Sequence, residues 1–173
     1  MQKKTTNFIV KSSLIAAVYA VLTLALGAIS YGNLGIEFRI SEALTILPVF
    51  SFSAVPGLFV GCLIANLLGM AFSTLGMVDV VFGSLATLIA SLLTYFLRKI
   101  TVKGFPILSF IPPILINAII VGLELRIFVA DVFSSFLWAA FIVGIGELVV
   151  VIVLGVPLYY LIKKTPTFNR FFN

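Results

Sequence analysis

The feature that most constrains this chain is the length of its uncharged apolar runs. No charged residue occurs from Ser12 to Ile29, from Ala43 to Val78, from Val80 to Leu97 or from Phe105 to Leu123, and Val132 to Ile162 contains only Glu147. A run of about 20 apolar residues is long enough to cross a bilayer as a helix. Inside hydrocarbon the backbone must satisfy its own hydrogen bonds, and a helix does so within one segment. Only 10% of the residues are charged, against roughly 25% in soluble domains. The sequence therefore predicts an all-α integral membrane protein, with residues 1–173 forming one membrane domain. The first run is not read as a cleaved signal, because no small-residue cleavage site followed by polar sequence appears after it.

Two readings of Ala43 to Val78 compete: one long span, or two helices broken near Pro56-Gly57. Cytoplasmic loops carry an excess of Lys and Arg, so the cations decide. With five spans and a cytoplasmic N-terminus, four cations lie inside and seven outside. With six spans, nine lie inside, and only Arg39 and Arg126 lie outside. Six spans are expected, near 12–30, 41–53, 56–73, 79–97, 105–124 and 133–162, with both termini cytoplasmic. The second is short for a crossing and is expected to tilt or to sit within protein.

This topology puts Glu37, Glu42, Asp79, Glu124 and Asp131 at the outer face, beside Arg39 and Arg126. A net negative outer face suits capture of a neutral or cationic solute. Glu147 lies deep in the last span. An ionisable residue inside a membrane costs several kcal/mol unless it is paired or wet, so Glu147 is a candidate binding residue. Asn117 and Asn66 lie near the middle of their spans and serve either as ligand contacts or as interhelical hydrogen bonds. Asp79 is read as a helix N-cap or a site residue, and Ser41-Glu42 as a helix start. Trp138 and Tyr31 are candidates for an interfacial belt or for ring stacking.

Small residues recur every four positions at Gly57, Gly61, Ala65 and Gly69, and at Ser12, Ala16 and Ala20. Such faces let helices approach closely in lipid. The first-helix face is read as internal packing or as a docking face for a second membrane protein. Pro112-Pro113 is expected to kink the fifth span and free carbonyls that line a cavity. With no histidine and a single Cys62, His-based catalysis, internal disulfides and thiolate clusters are excluded. No G-x-x-x-x-G-K-[ST] loop is present for ATP. No relay of acids and bases crosses the membrane, and no clear internal repeat is visible. No cofactor, metal or nucleic acid is expected, and the chain is not read as an enzyme. It looks like a binding subunit that borrows its energy.

The segments EFRISEAL (37–44), PGLFVGCLIAN (56–66), DVVFGSLAT (79–87), PPILINAIIVG (112–122) and GIGE (144–147) resemble the QueT family. These are substrate-binding S components of energy-coupling factor transporters for queuosine precursors. The resemblance runs from Lys11 to Lys164. It implies an S-component-like bundle that docks on a shared membrane coupling subunit driven by two cytoplasmic ATPases. In S components an Ala-x-x-x-Ala face on the first helix contacts that subunit, and Ala16 and Ala20 match it. The first outer loop, here Tyr31 to Ile40, lids the pocket. A deazaguanine ligand offers N–H donors to a carboxylate, which points to Glu147, with Asn117 on the neighbouring carbonyl. Glu42 or Glu124 would meet an aminomethyl cation. Arg39, Asn66 and Asp79 complete the polar set. Trp138, Phe141, Phe82 and Tyr31 are available to stack the bicycle. The alternatives are an S component for another vitamin-like molecule and a non-transporting membrane scaffold.

Overall fold

The computed structural model describes residues 2–30, 39–71, 73 and 75–172. Helix α1 (Gln2–Ala25) is followed by the single turn α2 (Gly27–Ser30). A 3₁₀ segment, Ile40–Val49, leads to α3 (Ala54–Gly69) and α4 (Met77–Leu97). A 3₁₀ turn at Ile107–Phe110 opens α5 (Ile111–Phe128), and α6 (Phe136–Val150) follows. Five π-helical residues, Val151–Gly155, join α6 to α7 (Val156–Lys164), and then comes α8 (Pro166–Phe172). Four helical stretches are long and apolar enough to cross a membrane: Lys4–Ala25, Met77–Leu97, Ile107–Phe128 and Phe136–Lys164. Ile40–Val49 and Ala54–Gly69 are shorter apolar helices.

The uncharged stretch Ala43 to Val78 is thus two helices. The break falls just before Pro56, because proline is tolerated in the first turn of α3, where its missing N–H has no partner to lose. The shorter helix takes the 3₁₀ form. At about 2.0 Å rise per residue its ten residues reach about 20 Å, where an α-helix would reach about 15 Å. Every residue from Ser41 to Pro48 is buried, because this segment threads the bundle and touches α1, α3, α4, α6 and α7. The expectation that it sits within protein is met.

The two small-residue faces pack on each other. A Cβ placed at Gly57 would lie 2.7 Å from the Ser12 carbonyl, and one at Gly61 would lie 2.8 Å from the Ala16 carbonyl and 2.8 Å from Tyr19 Cβ. Ala16 and Ala20 are only 5% and 7% exposed. Within the single chain the face of Ala16 and Ala20 thus serves internal packing, one of the two readings of it. Their face is occupied by α3, and the side of α1 turned outward carries Leu14, Val18 and Val21 instead.

Pro112-Pro113 also differs from expectation. The pair sits in the first turn of α5 rather than mid-span. The Ser109 carbonyl, four residues before Pro113 and so without its helical donor, accepts the Thr94 hydroxyl at 3.1 Å. The interruption that does occur in a span follows α6. Pro157 has no N–H, and the Val156 N–H bonds the Val151 carbonyl five residues back, the register of a π-turn.

Candidate functional site

Two buried polar groups lie side by side in the bundle. The first is built around Arg39. Its Nη2 donates to Asp79 Oδ2 at 2.6 Å and its Nη1 to Asn66 Oδ1 at 3.3 Å. Asn66 Nδ2 donates in turn to the Asp79 carbonyl at 3.0 Å. Asp79 is therefore the partner of Arg39 and not an N-cap; the cap position of α4 belongs to Gly76. Gly83 makes the room. A Cβ there would lie 2.6 Å from Asp79 Oδ1 and 2.9 Å from Asn66 Nδ2. Cys62 is buried beside this group and accepts from Thr87 Oγ1 at 3.3 Å, in keeping with a packing role.

The second group is a narrow cleft lined by Arg39, Glu42, Asn117, Val121, Val143 and Glu147. In the state described it holds about 20 Å³, room for about one water molecule. The pairing of α5 with α6 builds two of its walls. A Cβ at Gly122 would lie 2.8 Å from Ala140 Cα, and one at Gly144 would lie 3.4 Å from Ala118 Cβ. That antiparallel register sets Asn117 and Val121, four apart on α5, across from Val143 and Glu147, four apart on α6. The third wall is the 3₁₀ segment. Glu42, 2% exposed, receives the Tyr19 hydroxyl on Oε1. Its Oε2 and the Asn117 amide nitrogen make no hydrogen bond among the described residues, although the amide faces the carboxylate. Ser41 pairs its hydroxyl with Thr23 at 2.6 Å and does not cap the segment.

The structure brings Glu147, Asn117, Glu42 and Arg39 to one cleft, with Asn66 and Asp79 behind Arg39. It does not bring Trp138. That side chain is 51% exposed and stacks on Phe141 at 6.0 Å, on the outer side of α6. Phe82 and Phe141 are exposed as well, so the expected stacking walls are not part of the lining. Tyr31 and most of the loop Tyr31 to Ile40 lie outside the described residues. Glu124 is buried but is not in the cleft lining.

Tyr19 is the residue that the sequence reading missed. Its signal was a lone phenolic hydroxyl midway along an uncharged span, where a polar group needs a partner.

The described residues thus form an apolar helical bundle with a buried cleft of carboxylates, amide and guanidinium. Residues 9–164 match the model of the QueT transporter family, and the chain belongs to that family. It is 38% identical over 91 residues to the queuosine precursor transporter QueT of Lactococcus lactis subsp. cremoris (strain MG1363). That match covers 51% of this chain and about half the length of the relative, 50%. No solved structure matches.

Proposed function

We propose that this chain is the substrate-binding subunit, the S component, of an energy-coupling factor importer, and that it captures a queuosine precursor from outside the cell. The observation that carries this reading is the cleft of Glu42, Asn117 and Glu147, in a chain whose family and curated relative are named for such transport. A deazaguanine such as aminomethyl-deazaguanine or queuine presents two N–H donors on its pyrimidine edge. A carboxylate accepts both in plane, and an amide serves the adjacent carbonyl. Glu147 and Asn117, facing each other from α6 and α5, supply that pair. Glu42 then takes the exocyclic ammonium. Arg39 is already matched by Asp79, which leaves the cleft acidic. The cleft is too small for a bicycle as it stands, so its walls part on binding. Aromatic stacking is not part of this proposal, because none of the described rings lines the cleft.

No ATP-binding loop occurs in the sequence. The energy then comes from a membrane coupling subunit with two cytoplasmic ATPases, reached through a surface other than Ala16 and Ala20. Mass spectrometry of small molecules released from the purified chain tests the substrate. A deazapurine is expected. A different vitamin-like compound would keep the transport class and reject the precursor, and no ligand together with no uptake would reject both.

The same reading has six crossings and cytoplasmic termini. Phe52, exposed between the 3₁₀ segment and α3, then lies inside, and Asp131, exposed between α5 and α6, lies outside. Native Cys62 is buried and gives no background. A membrane-impermeant thiol reagent added to intact cells should label Asp131→Cys and spare Phe52→Cys. Labelling of Phe52→Cys, or protection of Asp131→Cys, would reject six crossings with cytoplasmic termini.

A further inference from the structure

Glu42 and Glu147 line the same cleft, and α1 grips Glu42 from its own side. Tyr19, 1% exposed, donates its hydroxyl to Glu42 Oε1. Tyr19 is itself held in place. It sits where α1 and α3 come close: a Cβ on Gly61 would lie 2.8 Å from Tyr19 Cβ. One turn on, the Thr23 hydroxyl bonds the Tyr19 carbonyl at 2.9 Å and meets the Ser41 hydroxyl at 2.6 Å. Thr45 donates to the Glu42 carbonyl at 2.6 Å. Thr23, Ser41 and Thr45 are all fully buried. Phenol and carboxylate are thus each fixed by packing and by the hydrogen bonds of their neighbours, the condition for a precisely held acceptor.

Of the two oxygens of Glu42, Tyr19 takes Oε1. Oε2 makes no hydrogen bond among the described residues, and it is the oxygen left for the cleft. A carboxylate with both oxygens available accepts a planar pair of N–H donors. With one oxygen occupied, Glu42 offers a point acceptor, suited to the compact charge of an ammonium.

We propose that Tyr19 is a positioning residue that sets specificity: it makes Glu42 a one-oxygen acceptor for an alkylammonium on the solute and leaves the planar two-donor edge to Glu147. The inference rests on the reading of the cleft as a queuosine-precursor site. Without the hydroxyl, Oε1 would be a buried acceptor with no donor, and the carboxylate would lose the one orientation that aims Oε2 at the ammonium.

Titration calorimetry on the purified full chain compares aminomethyl-deazaguanine with the same ring carrying a methyl group in place of the aminomethyl. The native chain should prefer the ammonium ligand by at least about tenfold, the value of one charged hydrogen bond. Tyr19→Phe removes a single oxygen atom and should bring that ratio to within about threefold of unity. Because Tyr19 acts through Glu42, Tyr19→Phe combined with Glu42→Gln should give the same ratio as Glu42→Gln alone. Thr23→Val loosens the same contact between α1 and the 3₁₀ segment one turn away. It should lower the melting temperature and keep the preference. Equal loss of affinity for both ligands in Tyr19→Phe would make Tyr19 a structural brace and overturn the proposal. So would additive effects of Tyr19→Phe and Glu42→Gln, or a Thr23→Val chain that has lost the preference. A native chain that binds the two ligands equally overturns it without any variant. A native chain that binds neither ligand rejects the precursor reading itself, and the proposal with it.

Discussion

Arg39→Met should cost about 3–5 kcal/mol of stability, the range seen when one partner of a buried ion pair is removed. The cause is what remains. Asp79 is 1% exposed, and its carboxylate draws on Arg39 Nη2 at 2.6 Å. With the guanidinium gone, an ionised or reprotonated acid is left deep in a helical bundle, where such groups are costly. The Gly83 backbone closes in on Asp79 Oδ1, so the side chain has little space in which to turn away. Asp79→Asn in the same chain should recover most of the loss, because an amide needs no counter-charge, and Asn66 keeps its bond to the backbone carbonyl of residue 79. Asp79→Asn alone should be milder, since Arg39 keeps Asn66 and still borders the acidic cleft. Thermal unfolding in detergent of the three variants measures this. A loss of about 1 kcal/mol for Arg39→Met, the typical size for any point change, would mean that the pair is hydrated. The double variant would then show no recovery.

The all-helical fold was legible because charge is so scarce that long apolar runs make up most of the chain, and helices occupy them. The division of Ala43 to Val78 into two helices followed from where Lys and Arg fall, and the structure has two helices there. The acids were not legible by the same counting. Placing Glu42, Asp79 and Glu124 at the outer end of their spans says nothing of depth, and all three are buried. What buries Asp79 is Arg39, 40 positions earlier, and what holds Glu42 is Tyr19, 23 positions earlier. Such pairings belong to the packing and leave no local pattern.

Other features were present in the sequence but needed a second step. Two small-residue stripes, one on α1 and one on α3, are each other's natural partners, since each permits the approach that the other requires. Trp138 is nine residues before Glu147. At about 100° per residue that is half a turn away, on the opposite face of α6. A residue that lines the cleft with Glu147 is instead Val143, one turn back. Helical phase thus separates Trp138 from the cleft without coordinates, whereas the α5–α6 register that sets Asn117 across from Glu147 depends on Gly122 meeting Ala140.

Glu147→Gln should lower affinity for aminomethyl-deazaguanine by at least about tenfold. The variant is nearly isosteric and turns one acceptor oxygen into a donor. That donor would face the donors of the pyrimidine edge. Hydrogen bonds to a charged partner contribute about 1.5–3 kcal/mol, and an unsatisfied buried group costs a comparable amount; about 1.4 kcal/mol is one decade in affinity. Stability should hold or rise, because a neutral amide is easier to bury in a membrane than a carboxylate, and the Gly122–Ala140 contact that aligns α5 with α6 is untouched. Glu42→Gln is the informative companion. Its carbonyl oxygen can still accept the Tyr19 hydroxyl, so the cleft keeps its shape while losing one negative charge. A ligand bearing an ammonium should then lose affinity, and one with a neutral substituent at that position should not. If Glu147 is instead a brace between α5 and α6, the pattern inverts: the melting temperature moves and the affinity does not. Titration calorimetry and a thermal melt on the same preparation separate the two. Unchanged affinity for Glu147→Gln would shift recognition of the pyrimidine edge to Glu42 and Asn117, which share the cleft.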